Sequence, residues 1–271
     1  MRPPPLAYRR PATLDAALQA LREDEAATPI AGGQSLVVML SLRVAATQSL
    51  VDIARLPELA QVEWRGEVLR IGAATRHAMI EDGLVPDPAQ GLLARVAGGI
   101  AYRAVRNMGT IGGSLALADP AADWPVCLMA LDATAVIAGE RRVAMGDFIQ
   151  GAYATALAPG EILEAIEIPL LPAEGRWGFA KLARKQGAFS DSLCVAVSRP
   201  GRPPRVVLGA TGSGARLLPE VAAALSDAAD AASLTAAIAQ AVAAADPGAD
   251  SYRLRCHAAI VARAVAQMRQ P

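Results

Sequence analysis

Two glycine-rich stretches contain the residue types best suited to holding a ligand. The first spans residues 30–36 (IAGGQSL) and the second spans residues 107–114 (NMGTIGGS). Each sets paired glycines and a hydroxyl residue beside an apolar run, so the backbone can approach a guest closely and point N–H groups at it. Either stretch alone would equally fit a tight turn. Together they favour an anion with two charged groups, and a nucleotide cofactor with a diphosphate is the first hypothesis.

The remaining candidates for chemistry are weaker. Residues 209–214 (GATGSG) imitate a dinucleotide fingerprint, but Leu217 stands where the third glycine is required. His77 and His257 lie far apart without a carboxylate or cysteine pattern, so we predict that both are structural. The sequence offers no nucleophile motif and no convincing carboxylate pair for acid–base work. An enzyme built on this chain would therefore take its chemistry from a cofactor.

The chain contains only two lysines, Lys181 and Lys185, and both fall in one five-residue stretch. They would form either a cationic patch near the cofactor or its electron acceptor, or a solvated strand edge that discourages aggregation. The sequence alone leaves these two interpretations equally open.

The predicted elements place both glycine stretches at element boundaries. The first half contains a helix at 14–22 capped by Thr13, a strand at 27–30, a helical segment at 35–42, a strand at 49–53, a hairpin of 62–65 with 68–71, and a helix at 91–104. The first stretch thus joins a strand to a helical segment. Amides at the start of a helix are unpaired and carry partial positive charge, which is a further reason to expect an anion there.

The second half begins with a predicted turn around Pro120, between Asp119 and Asp123. The elements that follow are a helix at 126–131, a hairpin of 133–138 with 142–144, a strand at 161–169, three strands at 177–184, 194–198 and 205–210, and a helical tail at 219–268. Asp227 and Asp230 interrupt the alanine-rich tail, so it is typical of surface helices rather than of a membrane span.

Charge and cysteine content exclude several classes of function. Lysine plus arginine and aspartate plus glutamate each total 26, so no global field attracts nucleic acid or an anionic membrane. Cys127, Cys194 and Cys256 are odd in number and far apart, which argues against a disulfide framework, a zinc site or an iron–sulfur cluster in this chain. We expect a protein of the reducing cytoplasm, without a signal peptide or a membrane span.

Three motifs resemble those of a known family. They are AGGQSL at 31–36, VRNMGTIGGS at 105–114 and ADPAAD at 118–123. The chain closely resembles the FAD-binding medium subunit of the molybdenum hydroxylases, the family of carbon monoxide dehydrogenase and xanthine dehydrogenase, nearly from end to end. The resemblance implies an α+β protein. Residues 1–173 would form a two-lobed FAD-binding domain of the vanillyl-alcohol-oxidase (PCMH) type, with lobes of about 1–56 and 57–173, and residues 174–271 a C-terminal domain with a small antiparallel sheet and helices.

The resemblance also implies which residues bind FAD. The two glycine stretches hold the diphosphate and ribityl portions, Asp123 matches an FAD-contacting aspartate, Ala101 lies on the adenine side, and Leu163 and Lys181 match positions near the nucleotide or ring. The implied set is Ala31, Gly32, Gly33, Gln34, Ser35, Leu36, Ala101, Thr110, Ile111, Gly112, Gly113, Ser114, Asp123, Leu163 and Lys181. Ser114 replaces the usual asparagine but keeps a hydrogen-bonding group. Neither stretch contains histidine or cysteine, so the flavin is expected to be noncovalent.

The implied function is electron transfer within a heteromeric enzyme. A molybdopterin centre in a large partner oxidises the substrate, two-iron, two-sulfur clusters in a small partner carry the electrons, and this subunit passes them through FAD to an external acceptor. A dimer of heterotrimers is expected by resemblance, with no catalytic residues in this chain. Two alternatives stay open at this point: a stand-alone flavin oxidase or reductase, and a nucleotide-binding assembly module without turnover.

Overall fold

The structure is a computed structural model that describes residues 5–270, and it is an α+β fold. The strands in this part of the chain are β1 (Ala7–Arg9), β2 (Ala27–Ile30), β3 (Ser49–Asp52), β4 (Val62–Arg65), β5 (Val68–Gly72), β6 (Thr134–Ile137), β7 (Arg141–Ala144), β8 (Ile149–Gly151), β9 (Ala154–Thr155), β10 (Leu163–Pro169), β11 (Arg176–Leu182), β12 (Ser192–Arg199), β13 (Arg202–Thr211) and β14 (Gly214–Leu217). The helices are α1 (Leu14–Glu23), α2 (Leu36–Ser41), α3 (His77–Glu81), α4 (Leu92–Gly98), α5 (Arg103–Arg106), α6 (Ile111–Leu117), α7 (Asp123–Ala130), α8 (Met145–Phe148), α9 (Pro219–Ser226), α10 (Ala231–Ala245) and α11 (Ser251–Arg269).

The first sheet is small and parallel, in the order β1-β3-β2. Helix α1 connects β1 to β2 and begins as predicted, because the Thr13 side chain accepts a hydrogen bond from the Ala16 amide at 3.2 Å. Its buried face includes Ala17 and Leu21, which pack on the same small core as Val51 of β3. The chain leaves the carboxyl end of β2 directly into the first glycine stretch. In parallel sheets this end is where ligands commonly bind.

The second sheet is antiparallel, in the order β4-β5-β10-β6-β7. Both predicted hairpins, β4 with β5 and β6 with β7, form its edges. Apolar side chains from its central strands, such as Ile71 and Ile166, pack in one core with Trp124 of α7. Strand β5 ends at Gly72, and the carbonyls of Ala73 and Thr75 just after it accept hydrogen bonds from the second glycine stretch.

The third sheet is antiparallel, in the order β11-β12-β13-β14, and it is covered on both faces. Successive side chains of β12 alternate between two cores, as the pleat of a strand requires. Val195 belongs to the core that contains α7, whereas Cys194 and Ala196 belong to the core that contains Val261 of α11. The sheet is therefore joined through α7 to the same core as the second sheet.

The structure differs from the predicted elements at several points. The helix predicted at 91–104 is two helices, α4 and α5, because the chain after Gly98 and Gly99 passes through a left-handed residue, Ala101, with φ of 45°. Strands β1, β8, β9 and β14 are short and were not predicted. The predicted helical tail is three helices, α9 to α11. Among the described residues, no helix has both the length and the apolar composition needed to cross a bilayer.

Candidate functional site

The two glycine stretches contact each other. We call residues 31–36 loop 1 and residues 107–114 loop 2. A Cβ placed on Gly32 would lie 2.2 Å from the carbonyl oxygen of Met108 and 2.8 Å from the Cα of Gly109. These atoms belong to the backbone and cannot rotate away, so only glycine allows this approach. Loop 1 and loop 2 are therefore in direct backbone contact at Gly32.

Loop 1 presents a row of free backbone donors. Within residues 5–270, the amides of residues 32–36 donate to no protein acceptor. The loop is instead held by its other groups, because the Val37 amide donates to the Gly33 carbonyl at 3.1 Å and the Gln34 side-chain amide donates to the Gly32 carbonyl at 3.1 Å. The loop is partly exposed rather than buried. Five successive unpaired amides on a curved backbone form a donor set for an anion.

Loop 2 is fixed to the protein through its own amides. Ile111 donates to the Thr75 carbonyl and Gly112 to the Ala73 carbonyl, each at 2.9 Å, and Gly113 donates to the Thr110 hydroxyl at 3.0 Å. A Cβ on Gly112 would lie 2.4 Å from the Cβ of Ala73. Loop 2 is therefore a rigid support seated on the end of β5. It offers a ligand the hydroxyl of Ser114 and the exposed backbone face of Gly113, not a second row of free amides.

His77 lies directly beneath loop 2 with a defined tautomer. Its amide donates to the Gly109 carbonyl at 3.0 Å, and its Nδ1 accepts a hydrogen bond from the Trp124 indole at 3.1 Å. Burial, with a smaller effect from the Arg106 charge, lowers the pKa of His77 from 6.5 to about 4. The ring is therefore neutral at pH 7, and its proton is on Nε2 because Nδ1 is an acceptor. The neutral ring packs beneath loop 2 without adding a charge there, as expected of a structural histidine.

Lys181 and Asp123 form a buried ion pair next to this support. The Lys181 ammonium lies 2.8 Å and 3.0 Å from the two Asp123 oxygens and donates to the Gly99 carbonyl at 3.1 Å. Their side chains are 14% and 7% exposed, so Lys181 is not the solvated strand edge that the sequence allowed. Burial raises the pKa of Asp123, and the Lys181 ammonium opposes that rise by favouring the carboxylate.

A second ionic group fixes the segment around Ala101. The Arg106 guanidinium donates to both carboxylate oxygens of Glu81, at 2.7 and 2.8 Å, and to the Ile100 and Ala101 carbonyls at 2.9 Å. A Cβ on Gly187 would lie 2.7 Å from the Ala101 carbonyl oxygen, so the loop after β11 rests on the same segment. Ala101 is held in its left-handed conformation from two sides.

The predicted residues form one connected set. Loop 1 contacts loop 2, loop 2 contacts His77, and Trp124 joins His77 to Asp123 and so to Lys181. Leu163 is buried in β10. The carbonyl of the following residue, Glu164, accepts a hydrogen bond from the Ala73 amide beside loop 2. The sequence analysis missed the supporting residues: Ala73, Glu81, Arg106 and Trp124. Two signals were available, because Arg106 directly precedes loop 2 and Trp124 directly follows Asp123. Ala73 and Glu81 are distant along the chain from the predicted site residues.

A second histidine cluster resembles a catalytic triad but is closed to substrate. The Ser192 hydroxyl lies 2.8 Å from His257 Nδ1, and His257 Nε2 lies 3.3 Å from Asp246. Asp246 also accepts hydrogen bonds from the Gly212 amide and the Arg253 guanidinium. Ser192 and His257 are both fully buried, so no substrate reaches the hydroxyl. The cluster fastens α11 to the third sheet, and His257 is a structural histidine as predicted.

Comparisons with known proteins identify relatives of this chain. The family model described as "FAD binding domain in molybdopterin dehydrogenase" matches residues 4–171. The chain is 37% identical over 206 residues to the glyceraldehyde dehydrogenase medium chain of Sulfolobus acidocaldarius, covering 74% of this chain and 73% of that one. It is 34% identical over 221 residues to the alpha subunit of the 6-hydroxypseudooxynicotine dehydrogenase complex of Paenarthrobacter nicotinovorans, covering 79% and 75%. A carbon monoxide dehydrogenase structure from Hydrogenophaga pseudoflava, lacking the Mo-pyranopterin moiety, superposes with a TM-score of 0.92 and 31% identity over 99% of this chain and 98% of that one.

Proposed function

The chain belongs to the family of FAD-binding medium subunits of the molybdenum hydroxylases, and we propose that it binds FAD across loops 1 and 2. Members of this family are subunits of heteromeric oxidoreductases, and this chain is the FAD-binding, electron-transferring one. Molybdopterin and iron–sulfur clusters belong to its partner subunits. Bound FAD would supply the redox chemistry between the clusters of the partner and the external acceptor, and loops 1 and 2 would hold it.

The free amides of loop 1 are the single observation that carries the assignment of the diphosphate. A diphosphate needs several N–H donors at one place, and residues 32–36 supply five without any rearrangement of the protein. The close approach of Gly32 to the Met108 carbonyl fixes loop 1 against loop 2. We assign the diphosphate to Gly32, Gly33, Gln34, Ser35 and Leu36, with Ala31 at the entry of the loop.

Loop 2 has a different role in this proposal. Thr110, Ile111 and Gly112 keep the loop rigid, while Gly113 and Ser114 line the ribityl portion with an exposed backbone face and one hydroxyl. Loop 2 therefore positions loop 1 and limits its movement. A rigid support lowers the entropy lost when the ligand is bound.

The Lys181–Asp123 pair and Ala101 complete the proposed site. The pair holds the Gly99 carbonyl, and Arg106 holds the Ala101 carbonyl, so both groups fix the 99–101 segment. We propose that this segment borders the adenine side and that Leu163 lies close to the nucleotide from the buried side. In this proposal, Asp123 and Lys181 contact FAD through the parts of the carboxylate and the ammonium that are not hydrogen-bonded to each other.

The larger assembly and its location are also proposals. We propose a complex with a large molybdopterin subunit and a small iron–sulfur subunit, arranged as a dimer of heterotrimers that reduces an external acceptor. The relatives are themselves subunits or medium chains of enzyme complexes, which supports the partners. The chain holds three free thiols, Cys127, Cys194 and Cys256, which suits the reducing cytoplasm. The flavin is noncovalent in this proposal.

The absorbance spectrum of the gently purified native protein tests this function, with the copurifying chains identified in the same sample. We expect a flavin spectrum overlaid by iron–sulfur absorption, two partner chains, and release of intact FAD on denaturation. Flavin on a solitary chain would contradict the proposed assembly. No flavin, even after addition of FAD, would contradict the assignment of the loops.

A further inference from the structure

A cavity of about 340 Å³ opens beside the first residues of β13, outside the site described above. Its lining is mostly apolar, with Pro203, Pro204 and Leu217 on its wall, and its charged residues include Arg202 and Arg205. We call this cavity, together with the adjoining side chain of Arg199, the arginine groove. We propose that the arginine groove binds a small organic phosphate, with the phosphate on the guanidinium groups and the apolar part of the ligand on the wall.

The guanidinium groups of the arginine groove gather around the end of α7. Arg205 donates through Nε and Nη2 to the Met129 carbonyl at 3.1 and 2.8 Å, and Arg199 donates through Nη2 to the Leu131 carbonyl at 3.0 Å. Within residues 5–270, the Arg202 guanidinium has no hydrogen-bond or ion-pair partner, and Nε and Nη1 of Arg199 have no protein acceptor. Two guanidinium groups are therefore held in place, and several N–H donors stay available for a ligand.

Positive charge in the groove exceeds the negative charge that the protein supplies. Among the described residues that line the cavity, Asp132 carries the single carboxylate, 3.3 Å from Nη1 of Arg205. The end of a helix adds about half a negative charge. Arg199 and Arg202 stand directly opposite each other on β12 and β13, where like charges destabilise a strand pair. Burial lowers the pKa of Arg199, Asp132 opposes that shift, and the charges of Arg202 and Arg205 add to it.

This excess of charge favours a phosphate over a carboxylate. A phosphate monoester carries about −1.5 to −2 charges at pH 7, whereas a carboxylate carries one. Guanidinium groups also bind phosphate oxygens through paired N–H donors. A phosphate monoester would therefore balance the charges of the groove, and it would relieve the repulsion between Arg199 and Arg202.

The wall of the groove calls for an apolar group on the same ligand. Strand β14 pairs with β13 from Val207 onward, so residues 202–205 have no strand on this side within the described chain. Pro203 and Pro204 carry no N–H to pair with a further strand, so this edge stays open as an apolar surface. Leu217 is 41% exposed and adds a second apolar side chain. Apolar walls with a few placed polar groups are typical of small-molecule sites of about this volume.

The arginine groove is separate from the proposed FAD site. Its lining includes no residue of loop 1 or loop 2 and neither member of the Lys181–Asp123 pair. Asp123 is the first residue of α7, whereas Arg205 binds the carbonyl of Met129 near the other end of that helix. The inference therefore goes beyond the proposed function and does not depend on it.

Titration calorimetry with phenyl phosphate tests the inference, and inorganic phosphate and phenol are the comparison ligands. The whole protein is used with FAD added in excess, so that loop 1 is not left open to the phosphate. Arg202→Gln removes the unpartnered guanidinium, and Leu217→Ser removes an apolar side chain from the wall. Arg263→Gln is the matched control, because Arg263 is exposed on α11 and lies outside the groove.

We expect one phenyl phosphate per chain, bound about tenfold or more tightly than inorganic phosphate, and no binding of phenol. Arg202→Gln should weaken both phosphates by about tenfold, since it removes charged hydrogen bonds. Leu217→Ser should weaken phenyl phosphate alone, by about fivefold, and Arg263→Gln should change neither. Without ligand, Arg202→Gln should unfold at the same temperature as the unsubstituted protein or at a higher one, because it removes a repulsion.

Three results would overturn the inference. The first is no saturable binding of phenyl phosphate to the unsubstituted protein. The second is equal affinity for phenyl phosphate and inorganic phosphate, since the wall would then contribute nothing. The third is an equal loss of phenyl phosphate binding in Arg202→Gln and Arg263→Gln, since the attraction would then come from general surface charge.

Discussion

At the scale of single residues, Gly32 is the position where the smallest change should have the largest effect on the cofactor. In Gly32→Ala, the new Cβ would lie 2.2 Å from the Met108 carbonyl oxygen, so loops 1 and 2 must separate. We expect FAD to bind about tenfold or more weakly, because overpacking by one methyl group against backbone costs about 1–3 kcal/mol. Flavin fluorescence titration of the apoprotein measures the dissociation constant.

Gly146→Ala is the matched control for that change. A Cβ on Gly146 meets no atom within 4 Å, and its φ is not positive. FAD affinity should be unchanged in this variant. An equal loss of affinity in the two variants would mean that Gly32 has no special place in the site.

The Lys181–Asp123 pair predicts an unusual dependence of stability on pH. Lys181→Met leaves the buried Asp123 carboxylate without its cation, which should lower the free energy of unfolding by about 3–5 kcal/mol at pH 7. The pKa of Asp123, already raised by burial, then rises further. The folded state binds more protons than the unfolded state above pH 4, so the variant should become more stable as the pH falls from 7 to 5.

Urea denaturation at several pH values measures this effect, and the double variant Lys181→Met/Asp123→Asn is its control. Removing the charge should restore most of the lost stability and abolish the additional pH dependence. If the double variant is as unstable as Lys181→Met, the loss comes from packing of the lysine side chain and not from an uncompensated charge.

For His77 we predict the opposite dependence of stability on pH, a loss of stability as the pH falls. Its pKa is lowered to about 4 in the folded protein from 6.5, so the unfolded state takes up the proton first as the pH falls. The stability that His77 contributes is complete above pH 6.5 and is lost as the pH approaches 4, by about 3 kcal/mol. His77→Gln removes the titrating group, so the wild type should lose that much more stability than the variant between pH 7 and 4. Parallel denaturation curves for the two proteins would contradict the neutral ring.

At the scale of elements, the ion pair between Glu81 of α3 and Arg106 of α5 should control the conformation of residues 99–101. Arg106→Lys keeps the charge but cannot hold both Glu81 oxygens and two carbonyls at once. We expect about tenfold weaker FAD binding with little change in secondary structure. Arg103→Lys is the control, because Arg103 is 48% exposed and its surface ion pairs contribute about 1 kcal/mol or less. Equal effects in the two variants would remove Arg106 from the site.

The elements also explain how far the sequence alone could lead. Helix α1 and the two hairpins of the second sheet were predicted because their capping, periodicity and turn residues are local signals. Strands β8, β9 and β14 contain two to four residues each and have too little pattern to be recognised. The helix predicted at 91–104 was wrong because the break after Gly98 depends on the contacts of Ala101 with Arg106 and Gly187.

The candidate site, like the elements, could be predicted from the sequence only in part. Loops 1 and 2 were visible as paired glycines with hydroxyl residues, and their relation to an anion follows from the chemistry of the backbone. The pairing of Lys181 with Asp123 could not be read from the sequence, because 58 residues separate them and only the packing of β11 near α7 brings them together. The commitment of the loop 2 amides to Ala73 and Thr75 likewise required the tertiary structure.

At the scale of the whole molecule, a shared core links the parts on either side of residue 173. We propose units of 1–173 and 174–271, yet Trp124 and Val126 occupy the same core as Leu193 and Val207 of the third sheet. The apoprotein should therefore unfold in one transition, with circular dichroism and tryptophan fluorescence giving the same midpoint in urea. Two separated transitions would mean that the two units are independently stable.

The most direct test of the FAD site is an experimental structure of the native complex with its flavin. We predict that the diphosphate oxygens accept hydrogen bonds from the amides of residues 32–36, while the Ile111 and Gly112 amides remain bonded to Thr75 and Ala73. A diphosphate held elsewhere, with the loop 1 amides facing water, would contradict the account.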